Sequence, residues 1–363
     1  MANRKFPWRM CSFAALLVLL PLMGSAAGDA RMQKIATLMQ RYQVDVPGAS
    51  LLVVQDGRPV VRSAFGMADL EKGIKATPQT DYRLASVTKQ FTAAAILLLR
   101  QDGKLSLQDS VRKWLPELPQ TDQAITIDDM LRHASGLIDY EDLIPPDTTG
   151  QVSDADVLRM LSKETRLYFK PGTSYRYSNS GYVLLGLVIE RASGESLPRF
   201  LDTRIFGPLD MKHTLLYEHD RGPEVPNRAY GYSETGGKWM RTDQHTTSAT
   251  RGDGGIYSNI EDLAQWDAAL YDRRLLDDES RKLAFSPHTR ITGETDVDWY
   301  GYGWRLHHDQ NGDEEIWHSG ESIGFRNVIL RWPRQRLTVI LLSNRNDPEP
   351  YQTARKVAAL FQR

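Results

Sequence analysis

Strand patterns stand at both ends of this 363-residue chain and enclose a long middle segment. Near the N-terminus two runs rich in β-branched and aliphatic residues, 49–55 and 59–65, are joined at Asp56 and Gly57. Asp-Gly between two such runs is a strong signal for a β-hairpin. Strand patterns return in four C-terminal segments, which are residues 302–307, 315–318, 325–332 and 337–343. Strands from the two ends of the chain would complete one antiparallel sheet.

Apolar residues recur with helical spacing between these two groups of strands. The spacing and the glycines that close it predict helices at 31–43, 88–101, 127–134, 153–162, 180–193 and 259–271, with a last helix from about residue 350. The sequence therefore predicts an α+β fold, in which helices flank an antiparallel sheet and residues 86–295 form a mainly helical insertion. Since no repeat or flexible linker separates the parts, residues 28–85 and 296–363 are assigned with the insertion to one domain, 28–363.

The first 27 residues have the pattern of an export signal. Arg4, Lys5 and Arg9 precede an apolar run at 13–22, and small residues at 25–27 offer a cleavage site. The apolar run is too short to cross a bilayer comfortably. We therefore expect this segment to be removed and the mature protein to be periplasmic or secreted, with no stable membrane anchor.

Composition narrows the classes of function. The single cysteine, Cys11, lies within the predicted signal, so the mature chain has no thiol for a disulfide, a nucleophile or a metal site. The formal net charge of −1 becomes more negative when the basic signal is removed, which argues against a nucleic-acid partner. Apolar residues make up 41% of the chain, enough to bury a catalytic site at this length.

A serine and a lysine three residues apart, Ser86 and Lys89, stand in front of the apolar run 91–99. On the first turn of a helix these side chains share a face, so the amine can reach the hydroxyl that it would deprotonate. Chance supplies about one Ser-x-x-Lys in a chain of this length, and Ser110 with Lys113 is a second match. Lys113 stands in a short polar stretch that would leave it solvated, whereas an apolar helix would bury Lys89 and disfavour its charged form. The alternative for Ser86 and Lys89 is a helix cap and a surface charge.

The tripeptide Tyr-Ser-Asn also occurs twice, beginning at Tyr177 and at Tyr257. A phenol would share the proton that the lysine removes, and the amide of Asn179 would bind substrate or orient the lysine. In the second copy Ser258 and Glu261 resemble a capping box that begins a helix. This difference favours Tyr177.

One predicted C-terminal strand ends in His318, Ser319 and Gly320, where the strand edge can offer polar groups and a backbone N–H to a substrate carbonyl. Gly320 also begins a Gly-Glu-Ser-Ile-Gly segment that fits the Gly-x-Ser-x-Gly nucleophile elbow. The elbow needs a helix after its serine and a later histidine, but residues 325–332 have a strand pattern and no histidine follows His318. We therefore reject the elbow.

Metal and cofactor chemistry have little support in the sequence. The eight histidines include no His-Glu-x-x-His, so no catalytic metal is predicted. The glycine-rich segment 252–255 lacks the Gly-Lys-Ser/Thr ending of a phosphate loop, and we interpret it as a turn that lines a cleft. No organic cofactor is implied.

These motifs, in this order and with Leu-Arg-His-Ala-Ser-Gly-Leu at 131–137 between the first two, resemble the serine β-lactamase and penicillin-binding protein superfamily. The resemblance is closest to the branch of class C β-lactamases, D-aminopeptidases, DD-peptidases and related esterases. It covers the chain from about residue 47 to residue 344 and implies a β-lactamase/transpeptidase-like fold. We interpret His133, inside the 131–137 segment, as structural.

The resemblance implies a role for each matched residue. Ser86 is the nucleophile that becomes acylated, Lys89 is its base and Tyr177 carries the proton. Asn179 contacts the substrate. The backbone N–H groups of Ser86 and Glu321 form an oxyanion hole, in which each donor stabilises the transition state by roughly 3 kcal/mol. The reaction is then acylation of Ser86 with loss of an amine or alcohol, followed by attack of water.

By the same resemblance His318, Ser319 and Gly320 contact the substrate. His318 stands where penicillin-processing relatives carry the lysine of Lys-Thr-Gly, and a histidine is mostly neutral at pH 7. The resemblance therefore favours a D-aminopeptidase-like or esterase-like hydrolase of a small peptide amide, ester or lactam, with cell-wall-derived peptides among the substrates. One alternative keeps the mechanism and changes the substrate: a true β-lactamase or a D-alanyl-D-alanine carboxypeptidase. The other alternative is not an enzyme: a sensor that binds penicillin or peptidoglycan without turnover.

Overall fold

The computed structural model describes Met1 and residues 26–121, 124–218, 222–308 and 312–362. Residues 2–25, which carry most of the predicted export signal, lie outside the described residues. Among the helices of the described ranges, none combines the length and the apolarity that a bilayer crossing requires.

The regular elements of the described residues are as follows. The α-helices are α1 Ala26–Leu38, α2 Thr88–Gln101, α3 Ile127–Leu131, α4 Asp154–Leu161, α5 Asn179–Ser193, α6 Leu197–Leu201, α7 Ile260–Ala269, α8 Asp278–Ala284 and α9 Pro350–Ala358. The strands are β1 Ala49–Gln55, β2 Arg58–Phe65, β3 Met67–Asp69, β4 Ile74–Lys75, β5 Tyr82–Arg83, β6 Leu215–Leu216, β7 Tyr232–Thr235, β8 Lys238–Arg241, β9 Ile256–Ser258, β10 Thr289–Arg290, β11 Trp299–Tyr300, β12 Arg305–His308, β13 Glu314–Ser322, β14 Phe325–Trp332 and β15 Leu337–Ser343.

One eight-stranded antiparallel sheet joins the two ends of the chain, in the order β10-β11-β12-β13-β14-β15-β1-β2. The N-terminal strand β1 pairs with the C-terminal strand β15 from Ala49 opposite Ser343 to Gln55 opposite Leu337. The β1–β2 hairpin turns at Asp56 and Gly57, which have φ of 51° and 75°, and positive φ at both central residues is the requirement of a type I′ turn. The α+β prediction is confirmed.

Helices cover both faces of this sheet. Arg331 of β14 bonds Asp267 of α7 through a 2.7 Å contact between Nε and Oδ1. Ile316 of β13 stands opposite Arg331, so its neighbour Glu315 points to the other face. There Glu315 accepts a 2.7 Å hydrogen bond from the hydroxyl of Tyr351 in α9. Helices α7 and α9 therefore lie on opposite sides.

Helix α2 is buried on nearly its whole circumference. Its residues Thr88 to Leu99 are all buried, and it packs against α5, α6 and α8 as well as against the turn before it. A helix that is apolar all round belongs in a core. The prediction of a buried helix at 88–101 is confirmed, and its bounds coincide with those of α2.

Several predicted bounds are wrong. The helix predicted at 31–43 ends at Leu38 and is followed by a separate turn at Gln40–Tyr42. The helix predicted at 127–134 ends at Leu131, because His133 takes a positive φ of 57°. The strand predicted at 302–307 begins later, at Arg305, since Gly303 with φ of 77° turns the chain first.

Candidate active site

A polar cleft of about 260 Å³ opens beside Ser86. Asn179 and Glu321, two more of the predicted site residues, also line it. The remaining wall comes in part from segments that the sequence left as loops, among them Tyr140, Glu141, His245, Thr247 and Ser248. Asp253 and Gly254 lie there too, which confirms the interpretation of residues 252–255 as a turn that lines a cleft.

Ser86 lies in the middle of a short 3-10 turn, Ala85–Val87, which leads directly into α2. The preceding Ala85 has φ of 50°, a left-handed conformation that costs an L-residue roughly 1–2 kcal/mol. Strained residues of this kind persist where the surrounding structure fixes them and often stand at functional sites. Here the strain places Ser86 on the wall of the cleft at the start of a buried helix.

Lys89 is fully buried, with 0% of its surface exposed. Its Nζ lies 3.0 Å from Ser86 Oγ, 2.9 Å from Asn179 Oδ1 and 2.9 Å from the carbonyl oxygen of Asp253. A neutral amine has two N–H donors and one lone pair. The Asn179 Oδ1 and the Asp253 carbonyl oxygen can only accept, so in a neutral Lys89 they would take both N–H groups and leave the lone pair directed at the serine hydroxyl.

The second Ser-x-x-Lys pair has a different environment. Ser110 caps a 3-10 turn and accepts a hydrogen bond from the backbone N–H of Arg112. Lys113 has a 54% exposed side chain and forms a 2.8 Å ion pair with Asp109. The prediction that Lys113 is solvated is confirmed, and the two Ser-x-x-Lys matches differ as their flanking residues indicated.

Tyr177 lies beside the buried lysine. Lys89 Nζ is 4.9 Å from the centre of the Tyr177 ring. The ring also packs on His133 at a centroid distance of 4.4 Å, and the His318 ring lies 6.2 Å away. The structure therefore brings Ser86, Lys89 and Tyr177 into one assembly.

His133 holds the segment that carries Tyr177. Its Nδ1 accepts a 3.1 Å hydrogen bond from the backbone N–H of Ser178, and burial holds the pKa of His133 well below its usual range. A neutral ring of this kind acts as an acceptor and a packing surface. This environment supports the interpretation of His133 as structural.

Asn179 begins α5 and links the lysine to the rim of the cleft. Its Oδ1 accepts from Lys89, and its Nδ2 donates to Glu141 Oε1 at 3.0 Å. Desolvation and the neighbouring Asp139 carboxylate raise the pKa of Glu141. Burial also raises the pKa of Asp253. The carboxyl groups of Glu141 and Asp253 thus favour the protonated state more than free carboxyls do.

Strand β13 approaches the turn at Ser86 very closely at Gly320. A Cβ at Gly320 would lie 2.0 Å from the carbonyl oxygen of Leu84 and 3.2 Å from the backbone nitrogen of Ser86. Only glycine allows this approach. It sets the backbone of Glu321, the next residue, beside that of Ser86 at the cleft wall. The Glu321 side chain is exposed and forms a 2.6 Å ion pair with Arg326.

The His318 side chain faces the protein interior and is 1% exposed. Its Nδ1 lies 2.6 Å from the carbonyl oxygen of Ser319, and its Nε2 lies 2.9 Å from the Tyr300 hydroxyl. Because a carbonyl can only accept, Nδ1 carries the proton and Nε2 accepts from Tyr300. Burial lowers the pKa of His318 well below its usual range. Ser319 lies on a neighbouring cavity, with Trp317, and the substrate contacts of His318 and Ser319 stay a prediction.

The second Tyr-Ser-Asn tripeptide builds a different structure. Tyr257 is fully buried in β9, and its hydroxyl lies 3.3 Å from Arg228 Nη2. The predicted capping residue is wrong by one position, because Asn259 rather than Ser258 caps α7. Ser258 instead belongs to β9, and its hydroxyl pairs with that of Thr214 at 2.7 Å.

Sequence reasoning missed three contributors to the site. The carbonyl of Asp253 bonds the lysine from 164 positions away, Tyr300 bonds His318, and Arg305 lies 5.7 Å from the Tyr177 ring. The glycine-rich context of Asp253 was a usable signal for a cleft. Tyr300 and Arg305 had none, because neither belongs to a recognisable motif and each reaches a site residue only in the folded chain.

Comparison with known proteins decides the family. The family model described as Beta-lactamase matches residues 32–363. The chain belongs to the beta-lactamase family. The motif order had predicted this, and the prediction is confirmed.

This beta-lactamase family member has named relatives. It is 34% identical over 334 residues to penicillin-binding protein 4* of Bacillus subtilis strain 168, an alignment that covers 88% of this chain and 72% of that protein. It is 30% identical over 329 residues to protein flp of Staphylococcus aureus strain MRSA252, covering 86% of this chain and 63% of that protein. The chain therefore spans less than two thirds of the length of protein flp.

Solved structures agree with this assignment. The octameric penicillin-binding protein homologue from Pyrococcus abyssi matches the beta-lactamase family member with a TM-score of 0.79 and 26% identity, over 92% of this chain and 76% of that one. The D-amino acid amidase from Ochrobactrum anthropi SV3, solved with L-phenylalanine amide, matches with a TM-score of 0.78 and 26% identity, over 92% and 98%. Both similarities extend over nearly the whole described chain.

Proposed function

We propose that this protein is a serine hydrolase that acts through an acyl-enzyme on Ser86. The observation that carries the proposal is the buried Lys89 amine, 3.0 Å from Ser86 Oγ and held by two further oxygen atoms at 2.9 Å. A serine becomes a nucleophile when a positioned base takes its proton. The burial of Lys89 and its fixed acceptors support the role of base.

In the acylation step, Ser86 Oγ attacks the substrate carbonyl carbon while its proton passes to Lys89 Nζ. The negative charge that develops on the carbonyl oxygen meets the backbone N–H groups of Ser86 and Glu321, whose adjacency at the cleft wall supports an oxyanion hole. The bond to the leaving amine or alcohol then breaks, and the leaving group receives a proton. Ser86 remains as an ester.

Tyr177 is proposed to carry that proton to the leaving group. The centre of its ring lies 4.9 Å from Lys89 Nζ, which places the phenol next to the proposed base. In the second half of the reaction water attacks the ester and gives up a proton to the same two groups, which pass it to Ser86 Oγ as the ester bond breaks and the acid leaves. Asn179, which bonds Lys89 and lines the cleft, is the proposed substrate contact.

The proposed substrate is a small peptide amide, an ester or a lactam. The neutral, inward-facing His318 supports this assignment because a substrate carboxylate would find no cation at that side chain. A D-amino acid amidase is among the solved relatives. Penicillin-binding protein 4* is a relative at 34% identity and keeps a β-lactamase, a carboxypeptidase or a non-turnover penicillin sensor as alternatives. We further propose that residues 1–27 direct export, which N-terminal sequencing of the secreted or periplasmic protein would test.

Intact-mass spectrometry tests the acyl-enzyme. The wild type, Ser86→Ala and Ser110→Ala are each treated with a fluorophosphonate and, separately, with a penicillin. The wild type and Ser110→Ala should gain the mass of one fluorophosphonate adduct, while Ser86→Ala should not. An adduct that persists in Ser86→Ala would overturn the proposal.

The penicillin arm separates the alternatives in substrate and class. A stable penicillin adduct without turnover indicates a sensor or a carboxypeptidase, which release of D-alanine from a D-alanyl-D-alanine peptide then separates, and a transient adduct with released product indicates a β-lactamase. No penicillin adduct, together with fluorophosphonate labelling of Ser86, supports the amidase or esterase assignment. Ser110→Ala is the matched control because it removes a serine at the same spacing from a lysine.

A further inference from the structure

The side-chain amide of Asn179 connects Lys89 to a carboxyl group on the rim of the cleft. Its Oδ1 accepts a 2.9 Å hydrogen bond from Lys89 Nζ, and its Nδ2 donates a 3.0 Å hydrogen bond to Glu141 Oε1. The two ends of an amide differ, because the oxygen can only accept and the nitrogen can only donate. Glu141 therefore lies where it can decide which end of the amide faces the lysine.

One orientation of this amide suits the proposed base. With Oδ1 toward Lys89, a neutral lysine gives the Asn179 oxygen one N–H and keeps its lone pair for Ser86 Oγ, 3.0 Å away. If the amide turned by half a revolution, Nδ2 would face Lys89 Nζ and could donate to that lone pair. A neutral amine has a single lone pair, so the turned amide would compete with the serine hydroxyl for it.

Glu141 disfavours the turned amide. A carboxylate can only accept, so the turn would break the hydrogen bond to Glu141 Oε1 and would set the Asn179 oxygen against a carboxylate oxygen. Burial raises the pKa of Glu141, and the hydrogen bond from Asn179 opposes that rise because it favours the ionised carboxyl. The bond that is observed is thus the one that fits the orientation with Oδ1 toward Lys89.

The turn that carries Glu141 is itself fixed on the start of α5. Asp139 Oδ2 accepts from the backbone N–H of Asn179 at 3.2 Å, and its Oδ1 accepts from the backbone N–H of Glu141 at 3.3 Å. Next to them the Ser180 hydroxyl accepts from the backbone N–H of Tyr140 at 2.7 Å. These hydrogen bonds keep the Glu141 carboxyl group at the Asn179 amide.

We propose that Glu141 is a positioning residue that holds the Asn179 amide with its oxygen toward Lys89 and so leaves the lysine lone pair to Ser86. Glu141 acts through Asn179. The inference rests on the proposed roles of Ser86 as nucleophile and Lys89 as base. No sequence motif marked Glu141, which stands 38 positions before Asn179.

The rate of fluorophosphonate labelling tests this orientation. The probe is a small, uncharged fluorophosphonate, so that it offers no cation to the Glu141 carboxyl group. Second-order labelling rates are measured for the wild type, Glu141→Leu and Glu141→Gln, and for Glu141→Leu combined with Asn179→Asp against Asn179→Asp alone. Glutamine keeps an oxygen that accepts from Nδ2, whereas leucine has none. Asn179→Asp presents an oxygen to Lys89 whichever way its carboxyl group turns.

Glu141→Leu should slow labelling at least about 10-fold, as expected for the loss of a hydrogen bond to a charged group. Glu141→Gln should stay within about threefold of the wild type, because it restores the acceptor. In the Asn179→Asp background, Glu141→Leu should change the rate by no more than about twofold, since the two sites are then uncoupled.

Asp142→Leu is the matched control for the loss of a carboxyl group from this turn. Asp142 is the next residue, and its Oδ2 accepts from the Tyr168 hydroxyl at 2.7 Å, away from the amide. Its labelling rate should stay within about twofold of the wild type, as for other exposed substitutions.

Wild-type labelling by Glu141→Leu would overturn the inference. Equal losses in Glu141→Leu and Glu141→Gln would also overturn it, because the charge of Glu141 and not its hydrogen bond would then matter. An equal loss from Glu141→Leu with and without Asn179→Asp would show that Glu141 does not act through Asn179. If Asn179→Asp alone abolishes labelling, the comparison of Glu141→Leu with Glu141→Gln decides. Failure of the acyl-enzyme itself is recognised separately, by labelling that persists in Ser86→Ala.

Discussion

Two Ser-x-x-Lys segments in this chain have the same spacing and opposite surroundings. Lys89 is fully buried and bonds Ser86, whereas Lys113 has a 54% exposed side chain paired with Asp109. Ser86 follows a strained alanine on the wall of a cleft, whereas Ser110 caps a short turn. The Ser-x-x-Lys spacing lets the lysine reach the serine hydroxyl in both segments. Burial in an apolar helix makes Lys89 a candidate base, whereas Lys113 is a surface charge.

Loss of the buried amine should have the largest effect. Lys89→Met should lower the rate of Ser86 acylation by about 10⁴-fold, at the upper end of what a general base contributes. Lys113→Met should leave that rate unchanged and should change the free energy of unfolding by less than about 0.5 kcal/mol, as for other exposed ion pairs. Stopped-flow labelling by a fluorophosphonate and urea unfolding measure the two quantities. Equal rates for the two variants would remove the distinction between the segments.

A substitution at Gly320 tests the close approach of β13 to the turn that carries Ser86. Gly320→Ala should slow acylation by roughly 10² to 10³-fold, because a Cβ would collide with the Leu84 carbonyl and displace an oxyanion donor. Gly103→Ala is the control, since a Cβ there meets nothing within 4 Å and only its φ of 67° is unfavourable. It should destabilise the fold by about 1 kcal/mol and keep full activity. Normal acylation by a folded Gly320→Ala would contradict the proposed oxyanion hole.

The two Tyr-Ser-Asn copies allow the same comparison with a smaller effect. Tyr177→Phe should lower kcat/KM for a p-nitrophenyl ester about 10²-fold, through loss of a proton carrier. Tyr257→Phe should alter kcat/KM by less than about threefold and should destabilise the fold by about 1 kcal/mol, because it removes the hydroxyl that accepts a hydrogen bond from Arg228. If Tyr257→Phe is inactive and Tyr177→Phe is active, the wrong tripeptide was chosen.

Asp81, a buried carboxyl that precedes Ser86 in the chain, should affect the free energy of unfolding without affecting the acylation of Ser86. Burial raises the pKa of Asp81 to about 8; its Oδ1 accepts from Asn259, and its Oδ2 has no partner among the described residues. The folded state therefore keeps a proton that the unfolded state loses near pH 4. The free energy of unfolding should fall as pH rises from about 4 to about 8, by on the order of a few kcal/mol.

Urea unfolding at pH 5 and at pH 8 measures this slope. Asp81→Asn should reduce the change of the free energy of unfolding with pH. Asp45→Asn, at an exposed position, should leave that change as in the wild type. Identical slopes for the wild type and Asp81→Asn would show that Asp81 ionises normally in the fold.

The sequence predicted the parts of the fold that have strong local signals. The Asp56-Gly57 hairpin, the buried helix α2 and the strands β14 and β15 match their predicted bounds closely, since turn chemistry and hydrophobic period specify them. Strands of two residues, such as β5 and β11, were missed. The partner of β5 lies far away in the chain, and a strand of two residues shows no period.

The residues of the candidate site also fall into those that local sequence patterns identified and those that they did not. Ser86, Lys89, Tyr177 and Asn179 could be found because each stands in a short motif beside an apolar helix. The Asp253 carbonyl, the Tyr300 hydroxyl and Arg305 could not be assigned, because long-range packing alone brings them to the motif residues. The inward orientation of His318 also depends on Tyr300, which no local pattern connects to it.

The central claim is that one serine of this chain carries the acyl group. The most direct measurement is peptide mapping of the protein after acid quench during turnover of a p-nitrophenyl ester, with tandem mass spectrometry to place the added acyl mass. The account predicts that the mass lies on Ser86. An acyl group found on Ser110, on Ser322 or on any other side chain, with Ser86 unmodified, would contradict it.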